Sequence, residues 1–318
     1  MLRKLSFLCL CLSMICISAP MGVFAATDKG VLRLALLPVP DVLPVYVALE
    51  KGYFDELGVE VEALPVGSAV ERDQLMQAGK ADGMINEISG AANFNREKIQ
   101  VKIISVARSP IGESPLFRIL AAPGSGITSV ADLADIPIGI SKNTVIEYIS
   151  TRLLTFGGLK EEQIVYKSVP VLPERLQLLL QGQLKAVTLP DPLGAAAMEA
   201  GAVEVINDLS RRDVSASVIT FTTEAIESKA ELLKNFMVAW NRAAEDINTD
   251  PAAFKELVLK KIRVPKNIQE KFVTPPLPLK AIPSKMQWDD VMAWMMEKNL
   301  ISAPLIYEES VVSDFLPQ

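Results

Sequence analysis

The side chains best placed to do chemistry sit in five short loops, each following a β-rich run: Pro40-Asp41, Gly67-Ser68, Asn86-Glu87, Ser141-Lys142-Asn143-Thr144 and Asp191-Pro192. Hydroxyls, amides and carboxylates dominate them, so the chemistry on offer is hydrogen bonding and charge pairing. Covalent catalysis has little to work with. The 318-residue sequence contains no histidine, which removes the commonest general base and the commonest transition-metal ligand. Its three cysteines, Cys9, Cys11 and Cys16, all precede Pro20, in a segment expected to be cleaved off. No thiol nucleophile, disulfide or thiolate metal site is therefore expected. Only a carboxylate-based catalytic site stays open. No glycine-rich phosphate loop of the P-loop or dinucleotide type is present, and neither a cofactor nor a metal is expected.

Each loop has a plain reading beside the functional one. At the C-terminal ends of strands, unpaired N–H groups of following helices and the helix dipole favour anions. Asp41 either turns the chain or meets a ligand. Ser68 caps the next helix, with or without ligand contact. Asn86 and Glu87 end an apolar run as a solvated loop or as pocket groups. Thr144 with Glu147 spells a capping box, which leaves Ser141 and Asn143 for a ligand. Asp191 either binds an amino or ring N–H group or caps the helix after it. Arg108 and Ser109 close another strand, and the guanidinium fits a carboxylate or sulfonate, unless it is simply a surface arginine. The candidate ligand-binding set is Asp41, Ser68, Asn86, Glu87, Ser109, Ser141, Asn143, Thr144 and Asp191.

The elements that must position these loops alternate short β-rich runs with longer helical patterns, as an α/β fold with parallel strands does. Strands are expected at 31–37, 59–64, 83–85, 101–107, 117–122, 136–140, 164–169, 186–189, 203–206 and 214–222. Helices are expected at 45–50, 70–78, 144–156, 173–181 and 192–201 and through the C-terminal third. The chain leaves a first lobe near Leu120 and returns near Ile219. This gives lobe 1 as residues 26–119 and 220–318, lobe 2 as 120–219, and a hinge of two crossing strands with a cleft between the lobes. Apolar stripes at Phe236, Ala239, Trp240, Ala243 and Ile247, and at Trp288, Met292 and Met295, are expected to be core. Half the residues are apolar and the net charge is −6, so each lobe can fill a core, and a nucleic-acid partner is not expected. Arg3 and Lys4, the apolar run from Leu5 to Ile17 and the Val23-Phe24-Ala25 ending predict a signal peptide cut after Ala25, hence a periplasmic protein. A lipid anchor at Cys16 is disfavoured by Ser13 and Ile15 before it.

The stretch Tyr46-Val47-Ala48-Leu49-Glu50-Lys51-Gly52-Tyr53-Phe54-Asp55-Glu56-Leu57-Gly58-Val59-Glu60-Val61-Glu62 resembles the opening of the periplasmic proteins that bind sulfonates, nitrate, taurine and thiamine-pyrimidine precursors. Leu75 to Asp82, Ser129 to Ile140, Leu179 to Ala186, Gly201 to Asp208 and Val291 to Ile301 continue the likeness in order. Ile136-Pro137 and Lys185 depart from it. The resemblance implies the type II periplasmic-binding-protein fold, with two Rossmann-like lobes on a two-strand hinge and the 141–144 loop lining the cleft. It also implies a small-molecule ligand, an ABC-transporter permease as partner, a monomer and no catalysis. Rival readings are a pyrimidine-synthase-like or lyase enzyme on the same fold, which would miss its cysteine motif and histidine here, and a ligand-sensing module of a membrane receptor.

Overall fold

A computed structural model describes residues 30–318; the signal peptide, its cleavage site and Cys16 fall outside the described residues. Ten β-rich runs form strands: β1 (Val31–Leu36), β2 (Glu60–Pro65), β3 (Gly83–Glu87), β4 (Val101–Arg108), β5 (Phe117–Ala121), β6 (Pro137–Ile140), β7 (Val165–Ser168), β8 (Ala186–Pro190), β9 (Val203–Asn207) and β10 (Ser217–Thr222). They make two five-stranded sheets, ordered β2-β1-β3-β10-β4 and β7-β6-β8-β5-β9. The protein is thus α/β with two lobes built to one plan. Strands joined by helical crossovers run parallel. The parallel strands expected of an α/β fold are there, and β5 and β10 run antiparallel to both neighbours. Each enters its sheet straight from the other lobe, with no crossover helix to turn it round.

β1 shows why such a run forms a central strand. Leu32, Leu34, Ala35 and Leu36 are all buried, as expected with helices on both faces. Arg33 is tolerated because Asp82 accepts from its backbone N–H at 2.8 Å and from its guanidinium at 3.2 Å, while Lys229 donates to the same carboxylate at 2.9 Å. The helix Ile88–Asn95 is not foreseen from the sequence. Ser89, Gly90 and Asn93 are poor helix formers, yet Ile88, Ala91, Ala92 and Phe94 are buried. Packing overrides propensity there.

The sheets change over in two segments, 109–116 and 208–216. The second is expected to be strand from Val214, but Asp208–Val214 is 3-10 helical with a kink at Arg211, and extended pairing begins only at Ser217. Both segments meet at the wholly buried Asp208. Its carboxylate accepts from the Leu116 N–H at 3.0 Å and the Phe117 N–H at 3.1 Å. Burial pushes the Asp208 carboxyl up to about 6, against the opposing pull of Ser215, those two N–H groups and Arg108. A carboxyl raised on folding holds its proton more tightly in the folded state. Its stability contribution is therefore full below the ordinary value of 3.8 and is lost as pH climbs through about 6. The loss is about 3 kcal/mol. Asp208→Asn, which mimics the neutral acid, should gain several degrees of melting temperature relative to the native chain between pH 4 and pH 7. A difference that stays constant over that range would contradict this.

The lobes also meet through the helix Lys285–Glu297, whose tryptophans are expected to pack on the first lobe. Trp288 donates to the Leu305 carbonyl at 3.0 Å. Trp294 instead packs edge-on to Tyr148, on the second lobe's helix Val145–Phe156, with ring centres 5.6 Å apart. Asp290 accepts from Tyr148 at 2.6 Å and from Arg152 at 3.0 Å, and Lys298 pairs with Glu147 at 2.8 Å. This helix therefore bridges the lobes.

Candidate functional site

At the cleft edge of the first sheet, Ser217 pairs in register with Glu87 on one side and Arg108 on the other. The ends of β3, β10 and β4 thus form a polar row. Arg108 is 3% exposed. It donates to the Pro115 carbonyl at 3.1 Å, lies 3.6 Å from the Asp41 carboxylate, and has no acceptor for its Nε–H among the described residues. Asn86, 1% exposed, accepts from the Thr220 hydroxyl at 2.6 Å, while its Nδ2 and the Ser217 hydroxyl find no partner among the described residues. Burial pushes the Glu87 carboxyl up, offset in part by Arg72 4.0 Å away. A third of its side-chain surface (32%) still reaches solvent, so the surrounding protein crowds it without sealing it.

In the second lobe, Arg175 is completely buried and has no carboxylate partner among the described residues. It donates to the Val169 carbonyl at 2.8 Å, the Thr188 carbonyl at 2.8 Å and the Ser141 hydroxyl at 2.5 Å. Burial pulls its guanidinium down to about 10. Ser141 is thereby held from beneath. Thr144 caps its helix, accepting from the Ile146 N–H at 3.2 Å. The expected capping box with Glu147 does not form. Glu147 accepts from the Asn143 N–H at 2.6 Å instead, because Asn143 takes the left-handed conformation (φ 59°) and swings its own amide over the helix end.

Ser68 is exposed and caps its helix through the Glu71 N–H at 3.2 Å, while Glu71 accepts from the Gly67 N–H at 2.6 Å. Asp191 is gripped by Arg118 through two hydrogen bonds of 2.9 Å and also accepts from the Ala195 N–H at 3.1 Å. The other side of Arg118 meets Glu204. Burial alone would pull this guanidinium down, but Asp191 and Glu204 more than offset it and hold it above its ordinary value.

A cavity of about 280 Å³ lies where the lobes and the first crossing segment meet. Pro40, in the turn after β1, and Arg108, at the end of β4, line it from the first lobe, Pro115 from the crossing, Arg118 and Asp191 from the second lobe, and Phe272 from the C-terminal third. Asp191 is the single member of the expected set on its wall, and Asp41 stands behind Arg108. Ser68, Asn86, Glu87, Ser109, Ser141, Asn143 and Thr144 do not line it. Three residues are missed by sequence reasoning: Arg118, Arg175 and Asp208. A charge inside the apolar run Phe117-Arg118-Ile119-Leu120 is a readable signal of a satisfied ion pair. Arg175, on an amphipathic helix, looks like any surface arginine. Among the described residues no group of acidic side chains is arranged to hold a metal ion, and no helix is long and apolar enough to cross a membrane.

The same frame recurs in solved structures. The periplasmic aliphatic sulphonate binding protein of Escherichia coli superposes with a TM-score of 0.73 at 15% identity, over 89% of this chain and 92% of that one. The alkanesulfonate-binding protein of Xanthomonas axonopodis pv. citri, bound to MOPS, gives 0.71 at 16% identity over 89% and 98%. The periplasmic nitrate-binding protein of Synechocystis PCC 6803 gives 0.64 at 13% over 90% and 86%. At such identities these likenesses speak to the fold. No curated protein sequence matches the chain. The family model described as NMT1/THI5 like matches residues 39–254, from the turn after β1 through both sheets and into the C-terminal helices. Two lobes of matching strand order, a cleft at their strand ends and this match across most of the sequence place the chain in the NMT1/THI5-like family.

Proposed function

We propose that this protein is an extracytoplasmic solute-binding protein, which captures a small molecule between its lobes and delivers it to an ABC-transporter permease. The observation that carries the reading is the cavity whose wall is shared by both lobes and a crossing segment. A ligand touching both lobes favours the closed arrangement by its differential contacts with it. No chemistry is done on the ligand. The site offers no histidine or cysteine, and the buried charges around it are spent on one another. Secretion by a signal peptide cut after Ala25 puts the protein in the periplasm, where it acts as a monomer. Its lobes divide at the two crossing segments, 109–116 and 208–216.

Native mass spectrometry of protein purified without refolding tests this. The expected result is a one-to-one non-covalent adduct that leaves on denaturation and, when re-added, returns with unchanged mass. Conversion of the compound on incubation would replace the binding reading with an enzymatic one. Absence of any adduct, together with no thermal stabilisation by a broad metabolite panel, would remove the solute-binding reading.

A further inference from the structure

The C-terminal third sends one arm across to the second lobe. It leaves β4 where the Val106 N–H donates to the Ala281 carbonyl at 2.7 Å, and returns where the Val312 N–H donates to the Ile103 carbonyl at 2.9 Å. Residues 281–312 are thus a strap tied at both ends to a first-lobe strand. Between the ties runs the helix Lys285–Glu297. Its buried face, Trp288, Val291, Met292, Trp294 and Met295, shares one apolar core with the helices Ile88–Asn95 of the first lobe and Val145–Phe156 of the second.

Apolar packing is non-directional, so this seam alone would let the lobes swivel. The polar contacts at its edge fix one arrangement. Asp290 accepts from the Tyr148 hydroxyl and the Arg152 Nε–H, and the Arg152 guanidinium lies 5.4 Å from the Tyr148 ring centre. Lys298, just past the helix, reaches Glu147. Asp290 and Lys298 each keep 36% of their side-chain surface exposed, so water can replace either partner as the lobes part. Pairs of this kind hold weakly and reversibly.

Glu147 makes two bonds at once. The side chain is buried, yet its Oε1 meets Lys298 at 2.8 Å while its Oε2 accepts from the Asn143 N–H at 2.6 Å. One carboxylate therefore joins a cation of the strap to the loop 141–144 at the second lobe's cleft edge. Asn143 sits in the left-handed conformation (φ 59°), which side-chain-bearing residues adopt at a cost. The Glu147 carboxylate holds it there.

We propose that the strap is an interlobe latch, and that Glu147 couples its seating to the shape of the loop 141–144. With Lys298 seated, the carboxylate is fixed over Asn143 and the loop is pre-formed. When the lobes part, Lys298 withdraws and that hold loosens. The coupling is reciprocal, so a ligand that favours the ordered loop also favours the seated strap. This rests on lobes that move on binding, but its test needs no ligand, so its failure leaves the solute-binding reading standing.

No cysteine follows Cys16, so Val70→Cys with Val171→Cys, both exposed and one in each lobe, gives two unique labelling sites in the mature chain. Spin-label distances from pulsed electron resonance read the latch, and amide exchange on the same proteins reads the loop. Asp290→Ala and Lys298→Met are each expected to lengthen and broaden the interlobe distance. Lys298→Met should also speed exchange of the Asn143 amide by about threefold, while the β8 amides keep their rates. Lys285→Met removes an equal charge from the same helix, but Lys285 pairs with Asp289 inside the strap, so neither readout should move. An unchanged distance in the Asp290→Ala/Lys298→Met double variant would overturn the latch. So would equal opening in Lys285→Met, since charge alone would then be the cause. Lobes that open in Lys298→Met with Asn143 exchange unaltered would overturn the coupling.

Discussion

Arg175→Ala is expected to cost about 3–5 kcal/mol of folding stability, among the largest effects available in the second lobe. The side chain is wholly buried and makes three hydrogen bonds, to two carbonyls and the Ser141 hydroxyl. Its removal opens a cavity and strips donors from groups that water cannot reach. Both effects act in the same direction. Arg175→Lys should recover little, since an ammonium on a flexible stem cannot fork toward three acceptors set by a planar guanidinium. Because Nη2 of Arg175 supports Ser141 at 2.5 Å, the loop 141–144 should also exchange its amide protons faster in either variant. Urea denaturation with hydrogen exchange checks both points. A cost below about 1 kcal/mol would mean that the loop and strand ends repack around the gap.

Arg118→Ala should be comparably severe, at about 3–5 kcal/mol, for an electrostatic reason. Asp191 and Glu204 both lean on this one guanidinium from inside the lobe. Without it, two poorly hydrated carboxylates face each other across the end of β5. The cost is that of uncompensated charge, not of a lost contact alone. The triple replacement Arg118→Leu with Asp191→Asn and Glu204→Gln removes the charges together and should recover much of the loss, as buried ion clusters exchanged for neutral groups commonly do. Chemical denaturation of the single and triple variants separates the cases. A triple variant no more stable than Arg118→Ala would show that packing, rather than charge, holds this corner.

Much of the architecture was legible in the sequence because it follows from local rules. β1 and β6 announce themselves by apolar runs closed by proline, glycine or polar residues, β2 by alternating apolar and acidic residues, and the cap at Thr144 by a threonine three residues before Glu147 at the head of a helical pattern. The two-lobed order follows from counting such runs. The absence of histidine and of cysteine beyond Cys16 also limits the chemistry before any coordinate is known. The helix Ile88–Asn95 was not legible, since its residues prefer a loop and only burial against the sheet makes them helical.

What tertiary structure alone decided is the partnership of the charges. Asp191 reads as a ligand group or a cap, and only the pairing of β5 with β8 brings Arg118 beside it, 73 residues away in sequence. Asp208, two residues past the expected strand 203–206, carries no mark of its own in the sequence, and only the meeting of two crossing segments buries it against the N–H groups of Leu116 and Phe117. Glu147 reads as the capping-box partner of Thr144 and Glu71 carries no mark in the sequence, and only backbone geometry shows both reaching the N–H groups before their helices. Secondary structure is settled within a few residues, where periodicity and capping act. Charge pairing is settled over the distances that folding collapses, and a single sequence carries no local mark of which carboxylate each guanidinium will find.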